Sequence, residues 1–214
     1  MPARRLAKPR AKPMPDAESR QREAPDIRRK LLIEATMRSI ARFGYAGTTI
    51  DTICTEAKVS RGLINHHFGS KEELIRQSYK ALRDEWLAQT HGSLLGSYDR
   101  PEDKLRAMIR VSFGPTMFKQ DYLGIWAGFW SAIGKSAALR KLNRELFDKD
   151  RDAYQAIFEE IARLRGKSID SRRAALSIIA LIDGFWLEWC LDPLCFTAEE
   201  AEAACLGFVA LTFA

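Results

Sequence analysis

Along most of this chain apolar residues recur at three- and four-residue spacing, the period of a helix with one buried face. Runs that alternate apolar and polar residues are few, so strands are not expected. From residue 71 onward every segment reads as helix, with breaks at residues 92–99, at Gly114-Pro115, at Gly134, at 166–170 and at 191–197. Three sequences mark helix starts: Ser70 with Glu73, Asp99 with Glu102, and Thr197 with Glu200. Each is spaced to exchange hydrogen bonds with the open amides of a first turn.

The N-terminal part carries a different arrangement. Residues 26–43 read as an amphipathic helix in which Ile27, Leu31, Ala35 and Phe43 share a stripe, and Gly44 is placed to end it. Thr49 is an N-cap candidate for a second helix with Ile50, Ile53, Cys54 and Ala57 on its apolar face. The pattern breaks at 57–60, Ser60 offers another cap, and Leu63, Ile64 and Phe68 resume an apolar face. Two short helices joined by three or four residues form a helix-turn-helix, whose second helix enters the major groove of DNA. The fold class predicted is therefore all-α, an N-terminal three-helix helix-turn-helix domain followed by a C-terminal helical bundle. Ser60, Arg61, Asn65, His66 and His67 suit phosphates and base edges; the two histidines taken alone also read as ordinary surface and packing residues. Lys71 lies in a first helical turn, where the helix dipole disfavours a cation and a nearby phosphate would offset the cost. A solvated lysine is the plainer reading.

The run Phe43-Gly44-Tyr45, Thr48-Thr49-Ile50, Ile53, then Ala57-x-Val59-Ser60-x-Gly62, then His67-Phe68-x-x-Lys71-Glu72-x-Leu74 resembles the DNA-binding domain of TetR-type repressors. Two positions depart from that pattern: Lys58 stands where the turn glycine belongs, and Asn65 where the recognition helix usually has tyrosine. The resemblance implies phosphate contacts from Thr49, Ser60, Asn65, His67 and Lys71. It implies base contacts from Arg61, Leu63 and His66, with Gly62 allowing close approach. Arginine pairs bidentately with guanine, worth roughly 1–3 kcal/mol of discrimination, which makes Arg61 the specificity candidate.

Residues 171–191 are apolar on more than one face, so this helix is expected to be buried centrally or between subunits. The last helix adds Ala203, Leu206, Val209 and Leu211. The resemblance implies that these two helices pair with their symmetry mates in a homodimer on a pseudo-palindromic double-stranded DNA operator. Ile125-Trp126-x-x-Phe129-Trp130 and Leu181-x-Asp183-x-Phe185-Trp186-Leu187 resemble, more loosely, the BetI-like, choline-responsive branch of that family. They imply an aromatic box for a quaternary ammonium, with Trp126, Phe129, Trp130 and Trp186 as rings and Asp183 as counter-charge. Read without the resemblance, the aromatics are core and Asp183 bonds a backbone amide or caps a kink at Gly184. A TetR-type regulator of another small apolar or aromatic ligand is the alternative.

Composition changes this picture in three ways. The net charge of +6 arises in residues 1–30, which hold ten Lys/Arg against four Asp/Glu, while the rest of the chain carries 24 of each. Residues 1–15 have four prolines and no acid, so residues 1–24 are expected to be a disordered basic arm attracted to DNA phosphates. Residues 25–76 would form the DNA-binding domain and 77–214 the ligand-binding and dimerisation domain. Neither a signal peptide nor an apolar run near the ~20 residues of a membrane span is apparent, so a cytoplasmic location is expected. Cys54, Cys190, Cys195 and Cys205 show no metal-ligand spacing; a redox pair of Cys190 and Cys195 is the other alternative. No catalytic constellation, phosphate loop or cofactor motif points to an enzyme. The reading is a ligand-responsive repressor.

Overall fold

The computed structural model describes residues 17–92 and 98–214, with side chains from residue 25 onward except at 91–97. Most of the basic arm expected at 1–24 lies outside the described residues. Among the described residues there is no strand. The helices are α1 (Ala17–Gly47), α2 (Ile50–Ala57), α3 (Arg61–Phe68), α4 (Lys71–Leu87), α5 (Pro101–Ser112), α6 (Gln120–Ile133), α7 (Ala137–Arg165), α8 (Ser171–Leu191) and α9 (Ala198–Thr212). The all-α expectation holds, and the described breaks fall at helix ends.

Two apolar cores organise these elements. The smaller joins Leu32 and Ala35 of α1, Ile53 and Cys54 of α2, Ile64 and Phe68 of α3, and Leu74 of α4. The larger takes Met37 and Ile40 of α1 and Ile75, Tyr79 and Leu82 of α4, and extends through α5 to α9. α1 and α4 thus serve both cores and tie them together. α6 also approaches α1 closely: a side-chain carbon at Gly128 would stand 2.5 Å from Ile40 Cγ2 and 3.0 Å from the Ile40 carbonyl oxygen.

The α1 stripe is displaced from the one expected. Of Ile27, Leu31, Ala35 and Phe43 only Ala35 is buried, and the inward face runs through Leu32, Thr36, Ser39 and Ile40. Thr36 donates to the Leu32 carbonyl at 2.7 Å and Ser39 to the Thr52 hydroxyl at 3.0 Å. Hydroxyls satisfied in this way, one within its own turn and one across to α2, occupy core positions that a hydrophobicity pattern passes over. Gly44 ends the regular helix as expected, at φ 66 and ψ 178.

Helix starts divide similarly. Thr197 and Glu200 form the full capping box, and Thr49 caps α2 with Thr52 as the reciprocal partner. Ser70 accepts from the Glu73 amide at 3.1 Å, but the Glu73 carboxylate turns to Arg76 and Gln77. Those hydrogen bonds hold its pKa down at about 2. The Asp99–Glu102 box is absent: Arg100 precedes α5, Pro101 opens it, and Glu102 pairs with Arg165 at 3.3 Å. Proline's fixed φ and missing amide start a helix without a cap.

α8 corrects a further expectation. With 21 residues, and a stretch of 18 whose mean hydropathy is 1.6, it is long and apolar enough to cross a membrane. Here Ile178, Ile179, Ile182 and Trp186 point into the bundle, the pattern of a core helix. Its opposite face, with Leu176, Leu187 and Leu191, is exposed in the single chain, so α8 is not buried all round.

Candidate DNA-binding face and ligand cavity

The turn between α2 and α3 is built around Lys58, at φ 56 and ψ 45 in the left-handed region. A side chain there costs roughly 1–2 kcal/mol. The Lys58 amide donates to the Thr55 carbonyl at 3.3 Å and the Val59 amide to the Cys54 carbonyl at 3.1 Å. These bonds satisfy the last carbonyls of α2 and offset the strain.

Ile64 and Phe68 anchor α3, leaving Arg61, Gly62, Asn65 and His66 exposed on adjoining turns of one face. Ser60 is exposed at the helix start and makes no capping bond. Arg61 pairs with Asp51 at 2.5 Å, with both side chains exposed. Such a pair contributes only about 0–1 kcal/mol, so it orients the guanidinium yet exchanges readily for a base edge. Thr49, Asn65 and Lys71, three of the expected phosphate contacts, line one open concavity with Gly69, Ser70 and Glu72. Lys71 Nζ donates to the Thr48 carbonyl at 3.3 Å, so backbone oxygen already offsets its place in the first turn.

Leu63 and His67 lie differently from the rest. Leu63 packs in part against the small core. His67 is half-buried, its Nε2 has no hydrogen-bond partner among the described residues, and its ring meets His66 and Phe68 edge-on. Burial first, then His66, Arg29 and Arg28, push its pKa below the ordinary histidine value. Sequence reading missed Arg29, which donates to the His67 carbonyl and to Gln77, both at 2.5 Å, and lies 4.5 Å over the Phe68 ring. It clamps the end of α3 between α1 and α4.

The second site lies within the bundle, where α4, α6, α7 and α8 enclose a cavity lined by Arg83, Trp86, Trp126, Phe147, Asp150, Tyr154, Asp183 and Trp186, with Ile179 and Ile182. Trp126, Asp183 and Trp186 were expected there. Phe129 is fully buried beside Tyr79 and Trp130 is half-buried at 6.2 Å from the Trp126 ring, both outside the lining. Trp186 is fixed by a 3.0 Å hydrogen bond from its indole to the Ser112 carbonyl, and its ring lies 5.7 Å from Trp126.

Arg83 and Asp150 form a buried ion pair. Asp183 therefore stands as a second carboxylate in a space with one cation among the lining residues. Desolvation raises its pKa to about 6, moderated by Arg83. Asp183 nonetheless keeps exposed surface, so it lines the cavity from a position that solvent also reaches. Two signals could have revealed the missed partners: Arg83 and Trp86 are one turn apart, and Asp150 sits between Leu146 and Tyr154 on the inward face of α7.

Cys54 and Cys205 are buried, Cys190 half-buried and Cys195 exposed, all as free thiols. Burial raises Cys190, and burial with Asp192 and Glu188 raises Cys195. Thiols held protonated are poor redox sensors.

Comparison with known proteins matches residues 32–77 to the family of bacterial regulatory proteins described as tetR, and residues 101–214 to the C-terminal domain of BetI-type transcriptional repressors. The chain belongs to the TetR family, in its BetI-type branch. The HTH-type transcriptional regulator BetI of Burkholderia mallei is 35% identical over 172 residues, 79% of this chain and 86% of that protein. A putative transcriptional regulator from Pseudomonas aeruginosa PAO1 shares the fold at a TM-score of 0.81 and 31% identity, covering 88% of this chain and 91% of the other. A putative regulator from Saccharomonospora viridis, solved in complex with choline, superposes at 0.71 with 20% identity, covering 86% and 96%. As a TetR-family protein of this branch, the chain is a DNA-binding transcriptional repressor that answers to a small-molecule effector, and not an enzyme.

Proposed function

We infer that this TetR-family repressor binds a quaternary ammonium of the choline class in the bundle cavity and that occupancy weakens its hold on the operator. The observation that carries this reading is the cavity itself: three tryptophans around an acidic surplus, Arg83 being matched by Asp150 and Asp183 left over. A cation over such rings gains about 0.5–2 kcal/mol per contact, most where water is excluded. The choline complex of the S. viridis regulator, alike in fold, supports the same reading.

DNA binding falls to residues 25–76, with Arg61 and His66 on base edges and Ser60, Thr49, Asn65 and Lys71 on phosphates, and Gly62 leaving room for the groove. Residues 77–214 form the effector-binding and dimerisation body. Dimerisation is supported by the exposed apolar face of α8, with Leu176, Leu187 and Leu191, continued by Leu211 of α9. Ala180 and Gly184 on α8 and Ala203, Ala204 and Gly207 on α9, all exposed, would let helices approach closely. Two recognition helices roughly 34–36 Å apart then read a pseudo-palindrome.

The test has two arms. Footprinting on the gene's own upstream region should protect a palindrome, and choline should quench tryptophan emission with saturation. Unprotected DNA or emission unchanged by choline would overturn the corresponding half of the reading.

A further inference from the structure

The aromatic cage already holds a cation. Arg83 Cζ lies 5.1 Å from the centre of the Trp86 ring and 5.5 Å from that of Trp126. Both are within the ~6 Å over which a ring face attracts a positive charge. The guanidinium is paired with Asp150, and both side chains are almost wholly buried, at 10% and 3% exposure. Its Nε is buried with no hydrogen-bond partner among the described residues. Rings and one carboxylate therefore hold this arginine, in place of the full set of acceptors its five donors would use.

The space left beside it is about 20 Å³, room for a single water. A trimethylammonium group cannot enter unless something leaves. Trp126 and Trp186 are packed against other rings, and Trp186 is also hydrogen-bonded to backbone. Arg83 is the lining group with a long, flexible stem. The charged and titratable groups facing it are Asp150 and Tyr154 from α7, Asp183 from α8, and Tyr79 from its own helix, with Tyr122 of α6 adjacent.

We propose that Arg83 is a tethered cation that fills the effector's place in the free repressor, and that the effector binds by taking over Trp86 and Trp126 and driving the guanidinium out. The proposal rests on the cage reading above and adds to it a competitor and a consequence. The competitor sets specificity. A quaternary ammonium has no donors of its own to satisfy and meets Asp150 and Asp183 by charge alone, whereas a primary amine must give up the water bound to three donors before it enters. It also lowers apparent affinity by the fraction of time the arginine holds the cage. The consequence is regulatory. Arg83 belongs to α4, whose first residue, Lys71, reaches the Thr48 carbonyl beside the DNA-binding face. Twelve helical residues, roughly 18 Å, connect the two. Expelling Arg83 changes what holds α4 at one end, while the recognition face rests on the other.

The paired variant Arg83→Met with Asp150→Asn removes the guanidinium and its counter-charge together, so volume and net charge are nearly kept. Titrated with choline chloride and with tetramethylammonium by tryptophan fluorescence, it should bind at least ten-fold more tightly than the wild type. Equal or weaker binding overturns the tethered cation. A second measurement requires no variant to fold well: in ¹⁵N-arginine-labelled wild type, the Arg83 Nε–H resonance should leave its ring-shifted position as choline saturates. A resonance that stays in place overturns the proposal as well. If the wild type binds neither cation, the cage reading fails and takes this proposal with it. If the wild type binds and the variant gains nothing, only the tethered cation fails.

Discussion

The DNA-binding module and the bundle cavity use polar residues in opposite ways. Around α3 the groups proposed to meet DNA stand on the surface: Arg61, Asn65 and His66 are exposed, and Asp51, the ion-pair partner of Arg61, is exposed too. In the cavity the functional groups are interior: Arg83 and Asp150 are paired out of water, and three tryptophans belong to the main core. A surface site is separable from stability, because removing an exposed side chain leaves the core intact. An interior site is not, because each lining residue is also packing. On the proposed assignment, DNA specificity stays adjustable while the effector site is bound up with folding.

That contrast is sharpest in substitution energetics. Trp186→Ala should destabilise the chain by about 3–5 kcal/mol in urea unfolding, since a fully buried ring and its bond to Ser112 are both lost. A cost below 1 kcal/mol would mean that the cavity is not part of the core. Gly128→Ala should cost about 1–3 kcal/mol, because the new carbon meets the Ile40 backbone as well as its side chain. It should also blunt the effect of choline on DNA affinity, α6 being pushed off α1. Arg61→Ala should leave the urea midpoint almost unchanged and lose about 1–3 kcal/mol of discrimination at one base position. Lys71→Ala, by comparison, should weaken all DNA alike and lower the salt slope by about one.

The pH response follows from Asp183. Its folded pKa, about 6, lies above the unfolded value near 3.8, so the protonated acid is favoured in the folded state. Stability contributed by this group is thus full below about pH 4 and is lost as pH rises towards 6, less than the whole shift implies because the residue retains exposed surface. Choline binding runs the other way, strengthening as pH rises through 6 and levelling above it, and Asp183→Asn should remove both trends. Calorimetric titration between pH 5 and 8 checks the sign. The smallest effect expected is at Lys58: replacement by glycine should stabilise by up to ~1 kcal/mol, as relief of left-handed strain is partly cancelled by unfolded-state entropy. A loss of stability would show that Lys58 makes a contact outweighing its strain.

What the sequence revealed followed the same division. Thr49, Gly44 and the Thr197–Glu200 box act within one turn of chain, so their spacing alone identifies them. The recognition helix was legible for the same reason, its exposed face being set by Ile64 and Phe68 only a few residues away. Where a second element decides, spacing failed. Ile27 and Leu31 look like core residues but nothing packs over them, and Glu102 leaves its expected cap for Arg165 on α7. The cavity draws on four helices separated by up to a hundred residues, so the family resemblance of two short segments points to Trp126 and Trp186, while nothing local points to Arg83, Trp86 and Asp150. Phe129 was assigned to the box because it lies a turn from Trp126, yet its ring turns to Tyr79.

Whether a cation in the bundle controls the recognition helices can be read in one titration. A fluorescently labelled upstream palindrome is bound by the purified full-length chain at pH 7.5 and moderate salt, and choline is added while anisotropy is followed. Operator affinity should fall at least five-fold, equivalent to a coupling of about 1 kcal/mol or more, saturating over the same concentrations that quench tryptophan emission. Operator affinity that stays constant while choline saturates the cavity would contradict such control.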